Sequence, residues 1–272
     1  MAGTAGGLAE NSGISAVAYV VDLTVEDTAS SFDIATVITV EATEAVDVIV
    51  LNAKQLDVAK KVVVDGEDKN GVSVRVPVSD VVFHEDREEV EILLGKKLTV
   101  GDTYNVTVTA TGVLGVPSGE GFIKATYDSG KSWLAAIRSS PTSARMVFPC
   151  VDQAGEEADV TLRVWRPATH TAISNAPVIN SQVISGGLTV SDTFATIRLA
   201  PHQVGLVVAP LKRQSADGDA VVLWGREQAA AATQEDARKY VSTVNALVEN
   251  LSQVPLAESP LSVVALPGRH VT

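Results

Sequence analysis

Short stretches in which apolar and polar residues alternate recur along most of the chain. This two-residue period is typical of strands that bury one face. The strands predicted in this way include residues 17–25, 34–41, 46–53, 72–78, 89–94, 104–110, 120–127, 134–137, 159–165, 193–199 and 221–224. Turn residues separate many of them, and the pairs Asp65-Gly66 and Asn70-Gly71 predict two tight turns. The pattern predicts a mainly β fold, an antiparallel sandwich or saddle.

The periodicity changes after Arg226. Thr233 is suited to cap a helix, and Asp236 follows in the first turn. Apolar residues then recur at helical spacing, and they are Ala237, Tyr240, Val241, Val244, Leu247, Val248 and Leu251. Pro255 ends this pattern. We therefore expect one amphipathic helix near residues 233–253, followed by a short strand at residues 261–266.

Composition and charge narrow the possible functions. The chain has 272 residues, of which 46% are hydrophobic, 20% charged and 4% aromatic, so aliphatic side chains must fill the core. Its net charge of −12 argues against binding to nucleic acid or to an anionic membrane. The sequence predicts no signal peptide and no membrane span, and it leaves the compartment open. Two glycosylation sequons, at Asn105 and Asn250, matter only if the protein is secreted.

The most informative stretch is residues 141–153, which read P-T-S-A-R-M-V-F-P-C-V-D-Q. Residues 171–177 then read T-A-I-S-N-A-P. This order resembles the N-terminal β-domain of the zinc aminopeptidases of the aminopeptidase N type, the gluzincins. Members read L-A-T-T-Q-F-E-P-T-x-A-R-x-A-F-P-C-F-D-E-P and, later, T-A-L-S-N-M-P. The I-V-L-N-A-K of residues 49–54 and the G-F-I-K-A-T-Y of residues 121–127 are further points of resemblance.

The positions that match the family pattern are expected to keep the fold. They are Pro141, Thr142, Ala144, Arg145, Phe148, Pro149, Cys150 and Asp152. We expect Arg145 to form a structural ion pair with Asp152. Cys150 is the only cysteine, so the chain has no internal disulfide, and the residue is expected to be a small buried hydrophobe.

Two positions depart from the family pattern where it carries function. Family members have Gln, then Gln or Glu two residues later, before the P-T-x-A-R run, and the second of these reaches the amino group of the substrate. In this chain those positions are Arg138 and Ser140. A cation thus stands where an ammonium-binding pocket is expected, and Ser140 offers no charge.

The family's zinc chemistry requires two His residues one helical turn apart, a carboxylate ligand and a Glu as general base. The chain has four His, and no two of them are four residues apart. In the run that begins at His84, Glu88 occupies the place of the second His, and a solvated turn is the simpler interpretation. We therefore expect no cofactor in this chain, and zinc only if a catalytic domain is supplied elsewhere.

The resemblance also predicts a domain division. Residues 1–14 would form a flexible tail and residues 15–226 the aminopeptidase N-like β-domain. Residues 227–272 would form a helical segment, the start of a truncated catalytic-type domain. The family includes cytosolic enzymes and membrane ectoenzymes, so either location is compatible with the resemblance.

The leading hypothesis is a non-catalytic β-domain that acts through binding or assembly. The alternative is an N-terminal fragment of a zinc metallo-aminopeptidase, which removes N-terminal residues from peptides. A third idea, an unrelated hydrolase built on Ser139, Ser140 and Ser143, lacks an evident His/Asp set. The apolar helix face predicts a protein partner or self-association, and the predicted interface comprises Tyr240, Val244, Leu247, Val248, Leu251 and Trp224. Trp224 is equally compatible with a place in the core.

Overall fold

The protein has a mainly β architecture, as the sequence predicts. The structure, a computed structural model, describes residues 13–26, 30–67, 71–116, 118–153, 155–214, 221–226, 235–236, 239–243, 246 and 261–265. The strands of these ranges are β1 (Ile14–Thr24), β2 (Ser31–Ala42), β3 (Val48–Asn52), β4 (Leu56–Val58), β5 (Val63–Glu67), β6 (Ser73–Val76), β7 (Val78–His84), β8 (Glu89–Leu94), β9 (Thr103–Val113), β10 (Gly121–Tyr127), β11 (Ser132–Arg138), β12 (Ala158–Pro167), β13 (Thr171–Ser174), β14 (Val178–Ile184), β15 (Thr189–Phe194), β16 (Ile197–Leu199), β17 (Leu206–Ala209), β18 (Lys212–Arg213), β19 (Val221–Gly225) and β20 (Leu261–Val264).

These strands form four sheets. The largest has ten strands in the order β14-β15-β12-β1-β2-β9-β5-β6, with β16 on β12 and β4 on β9. A four-stranded sheet has the order β10-β11-β17-β13, and two three-stranded sheets have the orders β3-β8-β7 and β18-β19-β20. Most pairings are antiparallel, but β1 pairs with β12 and β19 pairs with β20 in parallel. The second parallel pair joins β20, from the predicted helical segment, to a strand of the predicted β-domain.

One large core fills the space between three of the sheets. Strand β2 illustrates this packing, because every second residue is buried and the residues between are half-buried or exposed. Apolar side chains of the ten-stranded sheet, of the β3-β8-β7 sheet and of one face of the four-stranded sheet belong to a single buried cluster. Burial of so many Val, Ile and Leu side chains is the main favourable contribution to folding.

The four-stranded sheet is buried on both faces. In β11, Trp133 and Ala135 belong to the large core, whereas Leu134 and Ala136 belong to a second, smaller cluster. Half-buried Trp224 of β19 and Val264 of β20 pack against this second cluster. The β18-β19-β20 sheet therefore covers the face that the large core leaves free. This two-sided burial explains why residues 133–136 are apolar throughout instead of alternating.

One local prediction from the sequence is wrong. The pair Asp65-Gly66 lies inside strand β5 and not in a turn. A Cβ on Gly66 would lie 2.2 Å from the carbonyl oxygen of Thr103, so glycine is needed there for the close approach of β9. Strand β1 begins at Ile14, the last residue of the predicted tail, and Ile14 is buried. Residues 1–12 lie outside the described residues.

Helical backbone occurs where the sequence predicts the helix, at residues 235–236, 239–243 and 246. Tyr240 of the predicted apolar face is 73% exposed, and Val241 is half-buried. The other residues of that face, namely Ala237, Val244, Leu247, Val248 and Leu251, lie outside the residues whose side chains are described. Within the described ranges, no helix has the length and apolar character needed to cross a membrane.

The crowding at Gly66 gives a test of the β5–β9 contact. We expect Gly66→Ala to destabilise the protein by about 1–3 kcal/mol, because the added methyl group forces the backbones of β5 and β9 apart. Gly225→Ala is the matched control, since among the described residues a Cβ there meets Gln214 alone, at an ordinary 3.6 Å. Urea denaturation of both variants measures the difference. Equal stability of the two variants would show that the strands are not this close.

Candidate functional site

A short exposed turn follows strand β11 and carries the positions at which the sequence departs from the family pattern. We call Arg138, Ser140, Pro141 and Thr142 the tip, and each of them is exposed. The Ser140–Pro141 peptide bond is cis. The turn is closed by the backbone N–H of Ser143, which donates to the carbonyl of Ser139 at 2.7 Å. A tight, closed turn presents the tip to solvent in a defined position.

The two serines that flank the turn attach it to the rest of the protein. The buried Ser139 hydroxyl donates to the backbone carbonyl of His202 at 2.7 Å. The Ser143 hydroxyl donates to a carboxylate oxygen of Glu120 at 3.0 Å. Neither hydroxyl is paired with a general base of the His/Asp type, so the proposed serine hydrolase arrangement is not formed by these residues.

The segment after the turn, Ser143–Asp152, is buried, and we call it the anchor. Cys150 pairs with Asn52 of β3 through two backbone hydrogen bonds, of 2.7 and 3.1 Å. The Asn52 side chain also accepts a hydrogen bond from the backbone N–H of Asp152 at 3.0 Å. The structure thus joins two stretches that resemble the family, residues 49–54 and residues 141–153.

Arg145 lies at the centre of the polar contacts of the anchor. Its Nε donates to a carboxylate oxygen of Asp152 at 2.9 Å, which is the ion pair suggested by the sequence. Its Nη1 lies 3.3 Å from the carboxylate of Glu88, and the other oxygen of Glu88 lies 2.6 Å from the ammonium group of Lys54. The Arg145 carbonyl also accepts a hydrogen bond from the backbone N–H of Lys54 at 2.9 Å. Arg145 and Asp152 are both buried, so these contacts replace solvent for both charges.

Aromatic and sulfur groups complete the anchor on its apolar side. The Tyr19 ring meets the Phe148 ring edge-to-face with centroids 6.0 Å apart. The Tyr19 hydroxyl accepts a hydrogen bond from the backbone N–H of Val151 at 3.0 Å. Burial is the main cause that raises the pKa of the Tyr19 phenol and of the Cys150 thiol well above their usual ranges. Both groups therefore stay neutral, and Cys150 lacks the thiolate that a nucleophile requires.

The tip itself is exposed, and Arg138 is its one charged residue. Arg138 forms no hydrogen bond or ion pair with any residue that the structure describes, and its guanidinium is exposed. In the described parts of the chain, no three His, Cys, Asp or Glu side chains are grouped as a metal site requires. The side chains that could act at the tip are thus one cation, one hydroxyl of Ser140 and one hydroxyl of Thr142.

A known family model covers most of the strands described above. Residues 15–201 match the family model of the peptidase M1 N-terminal domain. This range includes β1 from its second residue, the tip and the anchor. The chain belongs to this family. The matched residues extend from the first strand to the loop after β16, and the resemblance drawn from residues 141–153 is confirmed.

The relatives found by sequence are aminopeptidases. Endoplasmic reticulum aminopeptidase 1 of Rattus norvegicus is 26% identical over 183 residues, which cover 66% of this chain and 19% of that protein. Endoplasmic reticulum aminopeptidase 2 of Homo sapiens is 28% identical over 174 residues, covering 63% of this chain and 18% of that protein. Aminopeptidase Q of Acinonyx jubatus is 26% identical over 242 residues, which cover 85% of this chain and 24% of that protein. The chain thus spans about a fifth of the length of these curated relatives.

The predicted interface around Trp224 is only partly described. Trp224 is half-buried, pairs with Val264 in the parallel β19–β20 ladder and packs on the second core cluster. Its indole Nε1 is buried and has no hydrogen-bond partner among the described residues. Tyr240 is exposed, whereas Val244, Leu247, Val248 and Leu251 lie outside the described residues. Trp224 therefore contributes to the protein's own packing, and an additional role in an interface stays a prediction.

Three residues that hold the anchor are not predicted from the sequence. In the sequence, Asn52 is only one residue of the stretch 49–54 that resembles the family. In the structure, its side chain and its backbone both form hydrogen bonds with the anchor. Glu88 is expected in a solvated turn, and the turn is present, but its half-buried carboxylate pairs with Arg145. Tyr19 is only one residue of a predicted strand. No local signal connects Glu88 or Tyr19 to residues that are far away in the sequence.

The buried contacts of Arg145 predict that replacing Arg145 lowers the free energy of unfolding much more than replacing the exposed Arg198. Arg145→Met leaves Asp152 buried without a counter-charge, and we expect a loss of about 3–5 kcal/mol of unfolding free energy. Arg198→Met is the control, because Arg198 is exposed and lies 3.8 Å from Glu157 and Asp159. Exposed pairs of this kind contribute at most about 1 kcal/mol. Urea denaturation that gives similar losses for the two variants would contradict the account of the anchor.

Proposed function

We propose that this chain is a non-catalytic M1 N-terminal β-domain that acts through binding or assembly. The observation that carries the proposal is the exposed Arg138 at the tip, which has no ion-pair partner among the described residues and has Ser140 nearby. These are the positions at which the family pattern has an amide and then an amide or carboxylate that reaches the amino group of the substrate. In this chain the first position, Arg138, carries a positive charge, and the second, Ser140, carries none.

Electrostatics makes this substitution unfavourable for an aminopeptidase role. Two like charges 4 Å apart repel each other by about 1 kcal/mol in bulk water and by about 4 kcal/mol at an effective dielectric constant of 20. A peptide amino terminus that approaches the tip meets the Arg138 guanidinium and gains no compensating attraction from Ser140. The tip therefore favours anionic or neutral groups over a free ammonium group.

The anchor supports a role in presenting a surface. Arg145, Asp152 and Glu88 fix the segment that follows the tip, and Ser139 and Ser143 fix the ends of the turn. The fold of the domain thus stands without any contribution from the side chains of Arg138 or Ser140. This separation allows the tip to change its chemistry while the β-domain keeps its structure.

The same intact anchor favours a second candidate, the N-terminal part of a zinc metallo-aminopeptidase. The relatives carry the word aminopeptidase in their names, and this chain matches about a fifth of their length. In this candidate the zinc ligands belong to a separate domain, because the four His of this chain include no pair at a spacing of four residues. The zinc would then act in that separate domain and not in the β-domain.

Within the first candidate, the predicted helix face and Trp224 form one proposed surface for assembly. Tyr240 is the described residue of this face that is most exposed, and it lies on helical backbone. Its neighbours in the proposed surface are Val244, Leu247, Val248 and Leu251. A row of such side chains in water forms an association-prone patch, which a partner protein or a second copy would cover.

A direct experiment measures bound zinc and peptide cleavage on the purified chain. We expect no stoichiometric zinc by elemental analysis and no hydrolysis of an aminoacyl reporter with added zinc. One tightly bound zinc per chain together with reporter hydrolysis would overturn the first candidate.

The tip supplies a second readout in the same experiment. A peptide with a free amino terminus and its acetylated form are titrated against the chain and against an Arg138→Gln/Ser140→Glu variant, which restores the family residue types. We expect the unaltered chain to show no preference for the free amino terminus and the variant to gain one. A preference in the unaltered chain would favour the enzyme candidate.

A further inference from the structure

One edge of the ten-stranded sheet is uncovered over a whole strand. Among the strands that the structure describes, β14 pairs only with β15, and all seven of its residues are exposed. Ile179 is 66% exposed and Val183 is 71% exposed. Leu188, in the connection to β15, is 78% exposed. This edge therefore presents open backbone groups together with apolar side chains.

The opposite edge of the same sheet is built differently. Strand β6 has four residues, and one of them is Arg75. Short length and a charged side chain are the usual means by which proteins prevent edge strands from pairing with other chains. Strand β14 reads V-I-N-S-Q-V-I and contains no charged residue. Of the two edges, β14 is thus the longer and carries no charge, and its only irregularity is the bulge between Val178 and Asn180 at one end.

The sequence of β14 is complementary to itself in the antiparallel direction. A two-fold axis through Ser181 places Asn180 opposite Gln182 of a second copy, so that an amide meets an amide. The same axis places Ile179 opposite Val183 and Val178 opposite Ile184, so that apolar residues meet apolar residues. An interface with this symmetry requires a surface that complements itself.

We propose that two copies of this chain associate by antiparallel pairing of their β14 strands about Ser181. The two ten-stranded sheets then continue into one another across the dimer axis. This inference deepens the assembly role proposed above and rests on it. It assigns the assembly to a surface different from the helix face of Tyr240.

Contacts with the neighbouring strand β15 hold β14 in position for this pairing. The Ser181 hydroxyl donates to a carboxylate oxygen of Asp192 at 2.6 Å. The other oxygen of Asp192 accepts a hydrogen bond from Arg166 at 2.5 Å, and Asp192 is buried. The charge of Asp192, beside the proposed axis, is therefore already neutralised inside the protein. Asn180–Ile184 pair with β15 in continuous register, and the bulge between Val178 and Asn180 lies at one end.

The test uses register-specific cross-linking. Residues opposite each other in an antiparallel ladder have Cα atoms about 4.5–5.5 Å apart, which is within the range of a disulfide. We expect Ser181→Cys to form a covalent dimer under mild oxidation, because position 181 faces its own copy. Ile179→Cys is the matched control: it faces Val183 of the second copy and lies roughly 13 Å along the strand from its own counterpart. It should not cross-link.

Sedimentation of the unaltered chain over a range of concentrations gives the second measurement. We expect a monomer–dimer equilibrium that the exposed-site double variant Ile179→Lys/Val183→Lys weakens by at least about tenfold, since like charges then lie near each other across the axis. Val113→Lys, at another exposed valine, should leave the equilibrium unchanged. Circular dichroism checks that each variant keeps its β structure.

Several results would overturn the pairing. A chain that stays monomeric at high concentration contradicts it, as does equal cross-linking at positions 181 and 179. A dimer that resists the lysine changes in β14 but is lost in Tyr240→Lys would place the assembly on the helix face instead. That last outcome removes the β14 proposal and keeps the proposed assembly role, so the two can fail separately.

Discussion

The buried Arg145 is the constraint on which this structure depends most. A guanidinium removed from water requires counter-charges and hydrogen-bond acceptors, and Asp152 and Glu88 supply the carboxylates. Because Glu88 lies in the turn between β7 and β8, satisfying this one charge fixes a distant hairpin against the anchor. The Asn52–Cys150 backbone pair then adds β3. The anchor is thus attached to the β3-β8-β7 sheet at two places, and the Tyr19 hydrogen bond attaches it to β1 of the ten-stranded sheet.

This arrangement separates stability from chemistry. The anchor begins at Ser143 and is buried, whereas the tip that precedes it is exposed. Changes at Arg138 and Ser140 alter the charge offered to a ligand without disturbing a buried contact. The residues that match the M1 N-terminal domain family include both the anchor and the tip.

The sequence predicted those features that depend on local periodicity or on nearby residues. Alternation in residues 34–41 predicted β2, and the Arg145–Asp152 pair spans only seven positions. Long-range contacts were not predictable in this way. Glu88 lies 57 positions from Arg145, and nothing in its own neighbourhood indicates a buried partner. The turn predicted at Gly66 was wrong for the same reason, because a glycine required by close strand packing resembles one required by a turn.

We expect the anchor to belong to the most stable unit of the domain and the tip to lie outside that unit. Native-state hydrogen exchange tests it at the backbone N–H groups of Asn52, Cys150 and Thr142. We predict that Asn52 and Cys150 exchange only through global unfolding, with the free energy measured by urea denaturation, and that Thr142 exchanges much faster. Exchange of Asn52 and Cys150 through local openings about 2–3 kcal/mol easier than global unfolding would contradict the account.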